Sequence, residues 1–302
     1  MSVIAPYLRL MRPANIITAW ADILAGFVVS GVYLPVSLSG FFHVSSGRLE
    51  DLAWLLLSTT GLYGGGVVMN DVFDLELDRI ERPERPLPSG RAGFRGALLL
   101  GIALLLLGVL TAAQVSARSA WLAFAVGLLA VIYDAFGKHH SWLGPLNMGA
   151  CRGGNLLLGM SLLPLAYWAW LLALIPVGYI AAITLISRGE VSGSGRRPLY
   201  GALAAYLLIM GGLLGLGAAS AYEWWLSLPF LFIFGLLILP PLIRAIQYPS
   251  GPRIGKAVRA GVLALIALDA ALAAAFGGWL AALLILLLLP LSLLVAGYFA
   301  VT

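Results

Sequence analysis

An all-α, polytopic membrane protein is the fold class this sequence predicts, and three observations predict it. Of the 302 residues 61% are hydrophobic and 10% charged, whereas soluble domains usually carry about 25% charged residues. Apolar stretches of about 20 residues, the length that crosses a bilayer as a helix, recur from end to end. The bases gather in alternate gaps between those stretches, as the charge rule for membrane orientation requires.

Arg9 and Arg12 lead into the first apolar run, 14–38, which is too long for a signal-peptide core and is read as a span. Further spans are expected at 51–71, 94–114, 118–136, 142–163, 165–187, 197–219, 223–246, 256–276 and 278–300, about ten in all. Fifteen of the eighteen bases then fall on one side: Arg9 and Arg12; Arg79, Arg82, Arg85, Arg91 and Arg95; Lys138; Arg188, Arg196 and Arg197; Arg244, Arg253, Lys256 and Arg259. Arg48 and Arg118 fall on the other side, and Arg152 lies within a helix. Both termini and the loops 72–93 and 188–197 are therefore expected on the cytoplasmic face, in a bacterial inner membrane. Trp168 with Trp170, and Trp224 with Trp225, fall near the expected outer ends, where aromatic side chains anchor spans.

No stretch between spans is long enough to fold separately, so 1–302 is expected to be one transmembrane domain. A net charge of +5, spread over short loops, orients the protein and does not point to nucleic acid. The single cysteine, Cys151, lies in an apolar segment, which excludes a disulfide framework and a thiolate metal site.

The longest polar stretch concentrates what charge there is. Six of the thirteen acids lie between 71 and 84. On a helix Asn70, Asp71, Asp74 and Asp78 share an arc of about 100°, and Glu76 points the opposite way. Three carboxylates on one face repel one another unless a cation sits between them, and hard oxygen ligands with room for a phosphate suit Mg2+. The alternative is an ordinary solvated charged loop.

Asn-Asp-x-x-Asp-x-x-x-Asp at 70–78, followed by Arg-Pro-x-Arg-Pro-Leu-Pro-Ser-Gly at 82–90, resembles the first aspartate-rich motif of the UbiA superfamily of intramembrane prenyltransferases. The resemblance implies a helical bundle around a central cavity that is open to the cytoplasm and sideways to lipid. It implies a polyprenyl diphosphate in that cavity, its head group bound through Mg2+ and its tail along apolar walls. Asn70, Asp71, Asp74 and Asp78 would ligate the metal, Asp71 and Asp74 being catalytic, while Arg82 and Arg85 would face the diphosphate or brace the loop. The chemistry fits on its own terms, because an allylic diphosphate ionises when metal ions and cationic side chains neutralise its leaving group.

Tyr133 and Lys138 match the family's tyrosine-then-lysine motif at a spacing of five instead of four. Lys138 is either a phosphate donor, with Tyr133 lining the cavity, or a loop lysine that orients the protein. Asp134 is placed to pair with Lys138 or Arg152. An arginine about ten residues into a span is costly unless it meets a partner or ligand, so Arg152 and Asn155 are expected to face the cavity, with Asp22 and Asp269 as candidate partners of Arg152. The family's second motif, Asp-x-x-x-Asp, is replaced after the sixth span by a loop with Glu190 at the first acid and Ser194 at the second. Glu190 is expected to complete the metal site and to be catalytic with Asp71 and Asp74, and Arg188 is expected to face the diphosphate. The runs at 133–140, 148–155 and 186–193 look like the EboC-like subgroup, whose acceptor the resemblance does not specify. Neighbouring His139 and His140 point apart on a loop and are not expected to bind metal, and His43 carries no signal.

The expected function is Mg2+-dependent transfer of a prenyl group to an unidentified acceptor within the membrane. Two rivals stand beside it: a transporter or flippase for a lipid phosphate, and a catalytically impaired prenyl-lipid-binding protein.

Overall fold

Pro13 opens the helix at the heart of the molecule. A proline at the first helical position has its φ already set and loses no hydrogen bond there, and the chain that follows is apolar apart from Asn15, Thr18 and Asp22. In the computed structural model, which describes residues 4–31, 46–164, 167–190, 193–218 and 224–299, this helix, α2 (Pro13–Val29), is buried over almost its whole length. A short helix, α1 (Ile4–Leu10), precedes it. His43, Ser192 and the side chains of His139 and Trp168 lie outside the described residues.

The remaining helices surround α2. They are α3 (Ser46–Phe73), the short α4 (Leu75–Glu81), α5 (Phe94–Val115), α6 (Ala117–Ala135), α7 (Leu143–Met160), α8 (Tyr167–Ser187), α9 (Arg196–Ala218), α10 (Leu228–Gln247), α11 (Gly251–Leu286) and α12 (Leu288–Tyr298). Helix α2 packs against α3, α7, α11 and α12; α3 packs on α5 and α6, α7 on α8, and α10 on α11. Glycines set how closely α2 and α7 approach. A Cβ on Gly26 would lie 2.3 Å from the Leu156 carbonyl oxygen, and one on Gly159 would lie 2.5 Å from that of Ile23. Small residues at such crossings let membrane helices gain van der Waals contact that bulkier ones would prevent.

Each of the ten expected spans contains a helix, and among the described residues seven stretches are long and apolar enough to cross a membrane. The differences have physical causes. Helix α2 is a shorter apolar helix of 17 residues. Helix α7, diluted by glycines, Arg152 and Asn155, is less apolar. The last two expected spans lie in one apolar run, Gly251–Tyr298, which Gly278, with φ 83° and ψ 174°, divides at a kink into two helices. Leu99, Leu106, Leu110, Trp121, Leu208 and Phe232 lie exposed on α5, α6, α9 and α10. An apolar surface of that extent belongs in lipid, so the chain is an integral, multi-pass membrane protein.

The expected loop 72–93 is partly helical. Helix α3 runs on to Phe73, and after a single turn residue, Asp74, helix α4 takes over. Hydrogen bonds from Asp74 N to Asn70 O and from Asp78 N to Asp74 O carry the helical spacing across the joint. Below it, Leu87 and Ala92 pack with Leu10, Val68, Val72 and Ala97 into a small apolar cluster. Burial of these side chains holds the Arg82–Gly90 segment beneath the end of α3. The turn closes with Ser89 Oγ donating to Arg85 O (2.6 Å) and with Gly90 at φ 71°, a left-handed conformation that glycine adopts without strain.

Candidate active site

Because the helical spacing survives the joint at Asp74, the acids of 70–78 keep to one face, and each meets a base. Asp71 Oδ1 accepts from Arg12 Nη2 (2.8 Å) and lies 3.4 Å from Arg85 Nη1, which also donates to Asp78 Oδ2 (2.6 Å). Arg85 thus bridges two acids seven residues, about two helical turns, apart. Lys138 forms an ion pair with Asp74. Asp71 and Asp78 are buried. Glu76 points away, as its position requires, and pairs in solvent with Arg79 (2.7 Å). The donors gathered here are all oxygens, from carboxylates and the Asn70 amide, which is the set a hard divalent cation prefers. Among the described residues no three acidic, histidine or cysteine side chains converge ready-made on a metal position. The bases stand between them.

From Asn70 a cavity of about 280 Å3 runs down between α3, α6 and α7. Asn70, Tyr133, Asp134 and Arg12 line one part of it and Thr59, Arg152 and Asn155 another, with Leu62, Val67, Val126 and Ala130 among the apolar walls. Thr59 and Asn70 lie eleven residues apart on α3, a rise of about 16 Å. Of the expected site residues Asn70, Tyr133, Arg152 and Asn155 line this cavity.

A buried polar network ties the second part of the cavity to its surroundings. Arg152 Nε is 3.2 Å from Asp22 Oδ2, and its Nη2 donates to the Thr18 carbonyl and hydroxyl (3.1 Å each). Asn155 Nδ2 donates to Asp22 Oδ2 and to Ala19 O (2.9 Å each), and its Oδ1 accepts from Thr59 (2.8 Å). Asp22 in turn interacts with the buried Asp269 of α11. Asp22 is therefore the direct partner of Arg152, and Asp269 is the next link. The Arg152 guanidinium also lies 5.6 Å from the centre of the Tyr63 ring, within cation–π range.

Other expectations change. Asp134 pairs with neither Lys138 nor Arg152; its Oδ1 accepts from Asn70 Nδ2 (2.9 Å), while Lys138 is committed to Asp74. Arg188 donates to the carbonyls of His140 (2.6 Å) and Lys138 (3.4 Å), bracing the turn after α6. Glu190 lies 4.0 Å from Arg82. Its burial raises the carboxyl pKa, against the opposing pull of Arg82 and Arg259. Arg12 and Tyr63 escaped the sequence reading as site residues. Arg12 was legible only as an orienting charge, since nothing local ties it to Asp71, 59 positions away.

A family model, the UbiA prenyltransferase family, matches residues 32–259. The chain belongs to that family. UbiA relatives are also found one by one: digeranylgeranylglyceryl phosphate synthase of Methanothrix thermoacetophila is 36% identical over 152 residues, covering 50% of this chain and 52% of the relative. The chain spans about half the length of the curated relatives it matches. A solved chain described as digeranylgeranylglyceryl phosphate synthase in membranes superposes with a TM-score of 0.65 at 20% identity, over 92% of this chain and 99% of that one. A UbiA homologue from Archaeoglobus fulgidus, solved with GPP and Mg2+, superposes with a TM-score of 0.59 at 15% identity, over 88% and 99%. At these identities the superpositions establish the UbiA fold.

Proposed function

We propose that the chain is an intramembrane prenyltransferase, a single domain over 1–302, which moves a prenyl group from a polyprenyl diphosphate to an acceptor held in the same cavity. One observation carries the reading: paired acids and bases from Arg12, Asn70–Asp78, Arg85 and Lys138 adjoin the Asn70 part of a cavity with apolar walls. Mg2+, when bound, would neutralise charge on the departing diphosphate. Asn70, Asp71, Asp74, Asp78 and Glu190 would supply its ligands. Arg12, Arg82, Arg85, Lys138 and Arg188 would face the released diphosphate, and fixed charges in a site shielded from water stabilise the charge that develops there. The bond between prenyl C1 and the diphosphate oxygen breaks with its electron pair leaving on the diphosphate, a bond forms from the acceptor's nucleophilic atom to C1, and the acceptor loses a proton.

The relatives' names suggest an acceptor of the geranylgeranylglyceryl phosphate type, and the Archaeoglobus homologue's ligands support the donor and the metal. The test is release of inorganic diphosphate from geranylgeranyl diphosphate by the protein in nanodiscs, with and without Mg2+. Release that requires Mg2+ is expected and rises with a competent acceptor. Binding of donor without release, with any prenyl length, would overturn the reading in favour of a carrier or a binding protein.

A further inference from the structure

At the Asn70 end of the cavity acids and bases are paired with one another, whereas the end at Arg152 holds a donor that the fold leaves unused. The Arg152 side chain lines the cavity and is 6% exposed. Its Nη2 donates to the carbonyl and hydroxyl of Thr18, its Nε lies beside Asp22, and its Nη1 has no hydrogen-bond partner among the described residues. A buried N–H left bare is expensive, the more so on a charged group. The neighbouring polar groups do not relieve it. Asn155 gives its amide hydrogens to Asp22 and Ala19, and its oxygen accepts from the Thr59 hydroxyl.

The charge of the guanidinium, by contrast, is already matched. Asp22 Oδ2 lies 3.2 Å from Nε, a second buried carboxyl group, Asp269, interacts with Asp22, and the Tyr63 ring lies 5.6 Å from the guanidinium. An anion entering here would compete with two carboxyl groups for one base, in surroundings where an unmatched charge is costly. An uncharged oxygen would accept the hydrogen bond and add no charge.

We propose that Arg152 is a specificity-determining residue for the acceptor, binding an uncharged carbonyl, ether or hydroxyl oxygen at the end remote from the reacting atom. Tyr63 lies seven residues from Asn70 on α3, a rise of about 10 Å. An acceptor that meets the prenyl group beside Asn70 and also reaches Arg152 is about that long. Leu62, Val126 and Met148 between the two ends suit an apolar body. Any phosphate the acceptor carries has to stay at the Asn70 end, near Arg12, Arg85 and Lys138. This inference rests on the transferase reading above and adds to it the chemistry of the acceptor's far end.

The probes are benzamide and benzoate, which share a shape and differ in charge at neutral pH, titrated calorimetrically into the protein in nanodiscs with empty nanodiscs as the blank. Benzamide is expected to bind more tightly than benzoate by about tenfold or more. Arg152→Lys keeps a positive charge beside Asp22 but loses the guanidinium fork, and should weaken benzamide by about tenfold. Asp22→Asn keeps an accepting oxygen and releases the guanidinium charge, so benzoate should gain about tenfold; an arginine with a merely structural role would give no such gain. Glu76→Gln, on the solvent side of α4, should leave both affinities unchanged. If Arg152→Lys does not fold, the Asp22→Asn result decides alone. Benzoate binding as tightly as benzamide, binding of neither, benzamide unaffected by Arg152→Lys, or benzoate unaffected by Asp22→Asn would overturn the inference. Mg2+-dependent diphosphate release, measured on the same preparation, keeps the two readings apart. Release with any of these outcomes strikes the inference alone, and no release overturns both.

Discussion

Asp71 lies under two guanidinium groups, and its neighbour in the motif, Asp74, meets an ammonium group, yet these acids are proposed to hold a metal. Removing either carboxylate should therefore cost activity without costing fold. Asp71→Asn and Asp74→Asn are expected to lower Mg2+-dependent diphosphate release by about a hundredfold or more, with thermal unfolding little changed; Glu76→Ala, on the far side of the helix, should stay near the unaltered rate. Equal loss in all three would show that the shared helix face is irrelevant. Arg152 predicts the opposite pattern. Arg152→Met strands Asp22 in the interior, and breaking one side of a buried pair costs about 3–5 kcal/mol, so unfolding should shift sharply down, with partial recovery when Asp22→Asn is added. Much of this residue chemistry was legible beforehand. The common face of Asn70, Asp71, Asp74 and Asp78 follows from helical period, and the need of Arg152 for a partner follows from its depth. The pairing of Arg12 with Asp71 was not, because long-range ion pairs leave no periodic trace in a sequence.

Helix α2 shows what an element contributes beyond its side chains. It is short, buried over almost its whole length and closely seated on α7 through Gly26 and Gly159, and the same crossing carries the Arg152–Asp22 and Asn155–Ala19 bonds. Gly26→Ala would drive a methyl group into the Leu156 carbonyl. The two helices must then part, at a cost of about 1–3 kcal/mol for overpacking, and the cavity wall would move with them. The measurement is thermal unfolding alongside donor affinity, and a loss in neither would mean that the crossing is looser than its geometry. Helix existence was plain from apolar run length. Helix ends were less so: the first expected span starts at 14 where α2 begins at Pro13, and 72–93 was expected as a loop although α4 occupies Leu75–Glu81, while the expected boundary at 277 falls beside the non-helical Gly278.

At the scale of the whole molecule, the distribution of bases proposes that the 72–93 and 188–197 loops share one side of the membrane. With Cys151→Ala as background, Ser89→Cys and Ser194→Cys should react with a membrane-impermeant maleimide from the cytoplasm, and Ala117→Cys, at the other end of α6, should not. Labelling of Ala117→Cys from the cytoplasm would invert the topology. The pairing of Arg12, Arg85 and Lys138 with the acids also bears on how the protein is made. A chain emerging from the ribosome carries most of its own counterions, so its acids can be folded away before any divalent ion arrives. Assembly should then be indifferent to magnesium while turnover depends on it. Cells or translation extracts depleted of free magnesium after ribosome function is secured would accumulate inserted, protease-resistant protein that is silent until the ion returns.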